Sequence, residues 1–137
     1  MSSKKFLAGG IAGGIAYFLL GYLVFGVLLM DFMKTHSNST AGVYRAMEDM
    51  IWWSMVVGNL AYGFLLSYVI GKAGAASVSG GFKTGLIVSL LVSIASNCIN
   101  YALANLVDTT GMVVDIITSA ILGGVLGAII GWVQSKV

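Results

Sequence analysis

The residues of this chain that could do chemistry within an apolar stretch are serines and asparagines on one helical face. At the ~100° advance per residue of an α-helix they project within an arc of roughly 100°. They are Ser89, Ser93, Ser96, Asn97 and Asn100. Asn59, in another apolar stretch, lies at a similar estimated depth. Amide and hydroxyl groups that face lipid would be left unpaired, so we expect this polar seam to face the protein interior.

Two functions fit a polar seam between helices. As interhelical contacts, its hydrogen bonds would each contribute about 0.6 kcal/mol. As the wall of a hydrated cavity, it would admit an uncharged or weakly charged solute, with Asn59, Asn97 and Asn100 lining the path. We predict a protein that acts through helix packing, as a homo-oligomeric or accessory component. The alternative is a small channel or facilitator for such a solute.

The other reactive residues give no support for catalysis. His36 and Cys98 are the single histidine and the single cysteine, so the sequence contains no Cys/His cluster. The acidic residues could meet outside as oxygen ligands of a cation, but we expect a solvated rim and no ionisable group near the membrane midplane. The rim would contain Asp31, His36, Glu48, Asp49, Asp108 and Asp115. We predict no enzyme activity, metal site or cofactor.

Two rows of glycine provide candidate positions for close helix packing. The first row is Gly9, Gly10, Gly13 and Gly14, and the second is Gly123, Gly127 and Gly131. Small residues at this spacing let helix backbones approach closely. Both rows fall in the same half of the membrane, so we predict that the first and last membrane helices pack together there as a glycine zipper. Homo-oligomerisation through one row is the alternative.

These residues must be positioned by membrane helices, because the chain is 58% hydrophobic and 9% charged, against ~25% charged in ordinary soluble domains. Four apolar runs are each about long enough to cross a ~30 Å hydrocarbon core. They are Phe6–Met30, Ile51–Ile70, Thr84–Val107 and Met112–Val133. We therefore predict an all-α fold: one transmembrane domain over residues 1–137, an up-down-up-down four-helix bundle. The loop over residues 31–50 is predicted to contain a helical extension over 41–50.

The charged residues separate by side. The basic ones before the first run, between the second and third, and after the fourth are Lys4, Lys5, Lys72, Lys83 and Lys136. The acidic ones flank the other ends, with Lys34 and Arg45 as basic exceptions. Lysine and arginine enrichment in short cytoplasmic loops then predicts that both termini are cytoplasmic. The basic residues form no single patch, so we expect the lipid bilayer and no nucleic acid as a partner.

Three short segments carry a resemblance to a known group of proteins. They are Tyr17–Gly26 (YFLLGYLVFG), the Ile51-Trp52-Trp53 start of the second run, and Gly58-Asn59 within it. With the four-helix topology, they resemble small four-helix bacterial membrane proteins grouped as a domain of unknown function. The resemblance implies a bacterial inner-membrane location, no established activity and no catalytic residue.

Overall fold

The computed structural model describes residues 2–37, 45 and 47–137, and over these residues the chain is helical without a strand. Four helices are long and apolar enough to cross a membrane. In chain order the elements are α1, Ser3–Gly21, which continues as a π-helical segment over Tyr22–Leu28; α2, Met30–Thr35; a 3-10 turn, Met47–Asp49; α3, Trp52–Lys72; α4, Val78–Leu103; and α5, Thr109–Lys136. The prediction of an all-helical protein with four helices of membrane-spanning length is confirmed.

Polar caps, rather than hydropathy, set where α4 and α5 begin. α4 begins at Val78 instead of the predicted Thr84, because the Ser77 hydroxyl accepts a hydrogen bond from the Gly80 N–H at 2.9 Å. α5 begins at Thr109 instead of Met112, because the Asp108 carboxylate accepts from the Gly111 N–H at 2.7 Å. In both cases the helix includes residues that hydropathy alone assigned to a loop.

The connection between the first two membrane helices also differs from the prediction. The π-helical segment ends at Leu28, and the predicted loop contains the short helix α2. Half of the predicted helical extension over 41–50, residues 41–44 and 46, lies outside the described residues. Of that stretch, the structure describes Met47–Asp49 as a single 3-10 turn.

α1 packs antiparallel to α3 through glycine. A Cβ atom at Gly63 would collide with the backbone of Gly14 and would lie 2.6 Å from the Gly10 carbonyl oxygen. A Cβ atom at Gly10 would overlap the Phe64 ring, and one at Gly14 would lie 2.9 Å from the Leu60 Cα. Glycine is therefore needed on both helices for this approach.

α4 packs antiparallel to α5 through a second set of glycines. A Cβ atom at Gly127 would collide with the Gly81 carbonyl oxygen and would lie 2.9 Å from the Gly85 Cα. A Cβ atom at Gly123 would likewise meet Gly85 and Ser89. One at Gly131 would meet Ser77 and Gly81. The two backbones touch along this row.

The two predicted glycine rows thus do not face each other. Helices α1 and α5 are in contact, but Gly9 and Gly13 of α1 meet the side chains of Ile130 and Gln134. The physical reason is complementarity. Because α4 has glycines at the same spacing, at Gly81 and Gly85, the α5 row packs backbone to backbone against α4. The α1 row finds its complement at Gly63 of α3.

The buried core lies toward one end of the molecule. Leu66, Ile70, Leu126 and Ile130 are at most 1% exposed, and they sit near the end that holds the start of α1 and the end of α5. We call this end the closed half. The other end, with Leu28, Trp52, Leu103 and Thr109 at its rim, is the open half.

Candidate functional site

A polar cavity of about 260 Å³ lies in the open half. Its wall combines residues from α1, the π-helical segment, α3, α4 and α5. They are Tyr17, Phe25, Tyr62, Ser89, Val92, Ser93, Ser96, Asn97, Asp115 and Ser119. Four of the six residues predicted as a polar seam therefore line one cavity, namely Ser89, Ser93, Ser96 and Asn97. Six residues that were not predicted as part of the seam complete the wall: Tyr17, Phe25, Tyr62, Val92, Asp115 and Ser119.

The centre of the cavity wall is a carboxamide–carboxylate contact between α4 and α5. The side-chain nitrogen Nδ2 of Asn97 donates to Oδ2 of Asp115 at 2.7 Å. The same nitrogen lies 2.9 Å from the Ser93 carbonyl oxygen and 3.1 Å from the Ser93 hydroxyl. Asn97 is therefore held in place from its own helix and is bonded across to the next one.

Asp115 lies deeper than the solvated rim that we predicted for it. It stands six residues after the first residue of α5, which is about 9 Å along the helix axis from that end. The prediction placed it at the rim because hydropathy started the helix at Met112. With the helix capped by Asp108, Asp115 lies about 9 Å from the start of the helix, compared with about 4.5 Å from the predicted start at Met112.

The electrostatic setting of Asp115 is unusual for a membrane helix. Ionised side chains in a bilayer are costly and are normally paired with an opposite charge or face a wet cavity. Among the described residues, the one ion pair is His36–Asp108, and Asp115 has no cationic partner. The carboxylate is half-buried and has one amide donor beside it. Its remaining acceptor capacity is open to the cavity.

Two tyrosines line the cavity nearer the closed half. The Tyr62 hydroxyl and the Ser89 hydroxyl are 2.5 Å apart and join α3 to α4. The rings of Tyr17 and Tyr62 lie with their centroids 4.8 Å apart, at 40° to each other. A Cβ atom at Gly123 would overlap the Ser89 side chain, so the glycine contacts of the closed half begin at the level of this serine.

Phe25 reaches the cavity from the π-helical segment. Such segments widen a helix locally and shift the direction of the side chains that follow, and they are frequent at functional sites. Phe25 packs against the core cluster and lines the cavity wall. No pattern in the sequence indicated this segment, because its residues are as apolar as those of the α-helix before it.

Asn59 lies elsewhere, although it was predicted to share the seam. Its Nδ2 donates to the Met55 carbonyl oxygen, one turn earlier in α3, at 2.7 Å. It lines a separate cavity of about 620 Å³ that shares Tyr17 and Tyr62 with the first and also borders Arg45. The reason is that α3 packs mainly on α1, whereas α4 packs mainly on α5, so Asn59 and Asn97 belong to different helix pairs.

Asn100, the last of the predicted seam residues, is exposed on α4 and does not line the polar cavity. Ser96 is also largely exposed, and its hydroxyl donates to the Val92 carbonyl oxygen at 3.0 Å. The α4 face that points to α5 repeats every four residues, through Ser89, Ser93 and Asn97. The wider arc in the prediction included residues at other spacings.

Sequence reasoning also missed a buried polar contact in the closed half. Gln134 is fully buried, and its Nε2 donates to the Ser67 carbonyl oxygen at 3.0 Å and to the Ser67 hydroxyl at 2.9 Å. The Ser67 hydroxyl in turn donates to the Phe6 carbonyl oxygen at 2.8 Å. These bonds tie together α5, α3 and α1. The one sequence signal was an amide immediately after the last residue of the fourth apolar run.

Two residues of the predicted acidic rim, His36 and Asp108, bind each other at the open end, and we call this contact the clasp. His36 Nδ1 and Asp108 Oδ2 are 2.7 Å apart, and the Asp108 N–H donates to the His36 carbonyl oxygen at 2.9 Å. The hydrogen bond from the Gly111 N–H, and then the one with His36, hold the pKa of Asp108 below its usual value. The described residues contain no group of three or more acidic, His or Cys side chains that could hold a metal ion.

Comparisons with known proteins do not assign the chain to a group. No protein-family model, no curated protein and no solved structure matches it.

Proposed function

We propose that this chain is a facilitator for a small polar solute, which enters the open half and binds in the polar cavity. The observation that carries the proposal is the set of hydroxyl, amide and carboxylate groups that line this cavity from four helices, α1, α3, α4 and α5. In a bilayer, such groups need protein, water or a ligand as hydrogen-bond partners. A cavity of about 260 Å³ is smaller than the ~300–1,000 Å³ of ordinary ligand pockets, which favours a solute of few atoms.

The closed half favours a facilitator over a permanently open channel. Leu66, Ile70, Leu126 and Ile130 fill the space beneath the cavity and are almost fully buried. A solute that leaves through this end would require α1 and α3 to move relative to α4 and α5. Many small-solute transporters work in this way: two groups of helices move relative to each other, so that a fixed site opens alternately to the two sides of the membrane.

For the orientation, we propose an up-down-up-down bundle in a bacterial inner membrane with both termini cytoplasmic. The antiparallel contacts of α1 with α3 and of α4 with α5 support the bundle. Lys4, Lys72 and Lys136 lie at helix ends of the closed half, which favours a cytoplasmic closed half. The cavity would then open toward the outside. The bacterial location rests on the resemblance of the three segments described above.

A packing role as an accessory protein is the second candidate, and one observation favours it. The Asn97 amide already bonds to Ser93 and Asp115, as expected of a residue that only joins helices. The glycine rows give no support for the homo-oligomeric form of this role, because their contacts lie within one chain. The two candidates differ in whether solute crosses the membrane.

Proteoliposomes containing the purified protein test the facilitator. Entry of glycerol and urea is followed by light scattering, and entry of methylammonium by radiolabel. We expect at least one of these solutes to enter faster than in protein-free liposomes, and the Asn97→Leu variant to remove the excess, because leucine replaces a polar wall residue with an apolar one.

The matched control is Asn100→Leu, the same exchange on the same helix outside the cavity. It should retain the wild-type rate. Thermal unfolding and size-exclusion elution confirm that both variants are folded. Entry at the protein-free rate for all three solutes, or equal loss in both variants, would contradict the facilitator and leave the packing role.

A further inference from the structure

We propose that the solute of the polar cavity is a small organic cation with a protonated amine, and that Asp115 is its counter-ion. This inference rests on the proposed function, since it names the class of solute for the same cavity. It changes the expectation from the sequence, which was an uncharged or weakly charged solute. The argument uses the charge balance, the hydrogen-bond balance and the aromatic wall of the cavity.

The charge balance of the cavity is negative. Among the residues that the structure describes, Asp115 is the one ionisable acid or base in the cavity wall besides the two tyrosines. Among the described residues, the carboxylate has no cationic side chain within ion-pair distance. A carboxylate within a membrane span is stabilised by an opposite charge. A cationic solute would supply the charge that the protein does not.

The hydrogen-bond balance also favours a donor-rich ligand. The Asn97 amide hydrogens are directed to Ser93 and Asp115, and the Tyr62 and Ser89 hydroxyls bond to each other. The Asp115 carboxylate has room for further donors, since an ionised carboxylate has about four acceptor positions. An ammonium group has three N–H donors and no acceptor. It therefore matches the acceptor positions that the Asp115 carboxylate leaves open.

The aromatic residues fit the organic part of such a cation. Tyr17, Tyr62 and Phe25 line the same cavity as Asp115, and the two tyrosine rings are in contact. Aromatic rings attract cations through their negative faces and pack against alkyl groups. A bare metal ion fits less well, because the wall has a single carboxylate, whereas calcium takes 6–8 oxygen ligands that commonly include several carboxylates.

Binding of propylammonium to the protein in lipid nanodiscs tests the inference. The matched probe is 1-propanol, which has the same carbon chain without the charge, and sodium chloride tests a plain monovalent cation. We expect calorimetric titration to show saturable propylammonium binding, with 1-propanol and sodium weaker by about tenfold or more, in line with the strength of hydrogen bonds to charged groups.

Two substitutions assign the binding to Asp115. Asp115→Asn keeps the shape and removes the charge, so propylammonium affinity should fall about tenfold or more, while the weak binding of 1-propanol should not change. Asp115→Glu should recover part of the affinity. Asp108→Asn, a charge removal in the clasp outside the cavity, should leave the affinity unchanged. If Asp115→Asn fails to fold, the wild-type preference for propylammonium over 1-propanol still decides.

The outcomes separate this inference from the proposed function. Equal binding of propylammonium and 1-propanol, sodium binding as strong as propylammonium binding, or undiminished affinity in Asp115→Asn would overturn the ammonium site. Flux of glycerol or urea without ammonium binding would sink this inference and keep the facilitator. Ammonium binding through Asp115 without flux of any solute would contradict the facilitator and keep the ammonium site.

Discussion

The closed half and the open half use the same residue spacing with side chains of different size. On α4 the residues that face α5 recur every four positions, as Gly81, Gly85, Ser89, Ser93 and Asn97. On α5 the facing residues recur at the same interval in the opposite direction, as Gly131, Gly127, Gly123, Ser119 and Asp115. In the closed half, backbone touches backbone. In the open half, two side chains bridge the helices.

This difference teaches that one packing stripe can also provide a binding surface. Where both positions are glycine, a single added Cβ atom has no room. Where they are Asn97 and Asp115, the same register leaves a cavity bounded by polar groups. The closed half fixes the relative position of α4 and α5, and that position sets the distance between the two polar side chains. The stability of the closed half is therefore a condition for the geometry of the cavity.

The largest expected effect comes from a charge in the closed half. Gln134→Glu keeps the side-chain shape, but it replaces the Nε2 donor with an oxygen that faces the Ser67 carbonyl oxygen in a fully buried position. An uncompensated buried charge typically costs about 3–5 kcal/mol. We expect a corresponding drop in the free energy of unfolding, measured by denaturant titration in mixed micelles.

The matched exchange in the open half is Asp115→Asn, which swaps carboxylate for carboxamide in the other direction. Because Asp115 borders a cavity, this change should alter stability by well under the Gln134→Glu effect. Similar losses in the two variants would contradict the distinction between a dry closed half and an accessible open half.

A smaller effect is expected from one methyl group added to the glycine stripe, by which we mean Gly123, Gly127 and Gly131 of α5 with Gly81 and Gly85 of α4. In Gly127→Ala the new Cβ atom would collide with the Gly81 carbonyl oxygen, which is backbone and cannot move aside. Overpacking of this kind typically costs about 1–3 kcal/mol. Thermal and denaturant unfolding of the purified variant measure the loss.

Gly58→Ala is the control for this variant. It is the same exchange in a membrane helix of the open half, where nothing lies within 4 Å of the added Cβ atom. It should be neutral or stabilising by up to about 1 kcal/mol, because alanine is the better helix former. Wild-type stability of Gly127→Ala would show that the helices separate easily, and the stripe would lose its role in setting the cavity.

The sequence predicted the parts of the fold that depend on hydropathy. Four apolar runs gave four helices of membrane-spanning length, since a long apolar stretch has few other structures open to it. The helix ends were less predictable, because Ser77 and Asp108 start helices through side-chain hydrogen bonds that hydropathy does not register. That shift placed Asp115 deeper in its helix than the predicted start at Met112 had put it.

Helix partners were the harder part of the prediction. A row of glycines signals close packing but does not say with which helix. Gly81 and Gly85 were read as part of a loop and its border, although they continue the four-residue spacing of Ser89, Ser93 and Asn97. Extending the polar seam backwards by that spacing is the signal that would have paired α4 with α5. Tyr17 and Tyr62 carried a weaker signal, as hydroxyls within long apolar runs.

The smallest effect is expected at the clasp that joins α2 to the start of α5 at the rim of the open half. The Gly111 N–H and His36 favour the charged form of Asp108, so its folded pKa lies below the unfolded value, near 3.8. The stabilisation is therefore fully present above the unfolded pKa and is lost as the pH falls through the lower folded pKa.

Asp108→Asn tests this linkage, since asparagine also caps helices and the exchange removes the charge while keeping the size of the side chain. The wild type should unfold at a slightly higher temperature than the variant at neutral pH, and the gap should close as the pH falls below the unfolded pKa of Asp108, 3.8, and through its lower folded pKa. Glu48→Gln, in the exposed 3-10 turn, controls for the change in net charge. A gap that stays constant over that fall in pH would mean that the Asp108 charge does not hold the rim. A closing gap, with the cavity's ammonium affinity unchanged, would show that the Asp108 charge stabilises the rim of the open half without setting the geometry of the cavity.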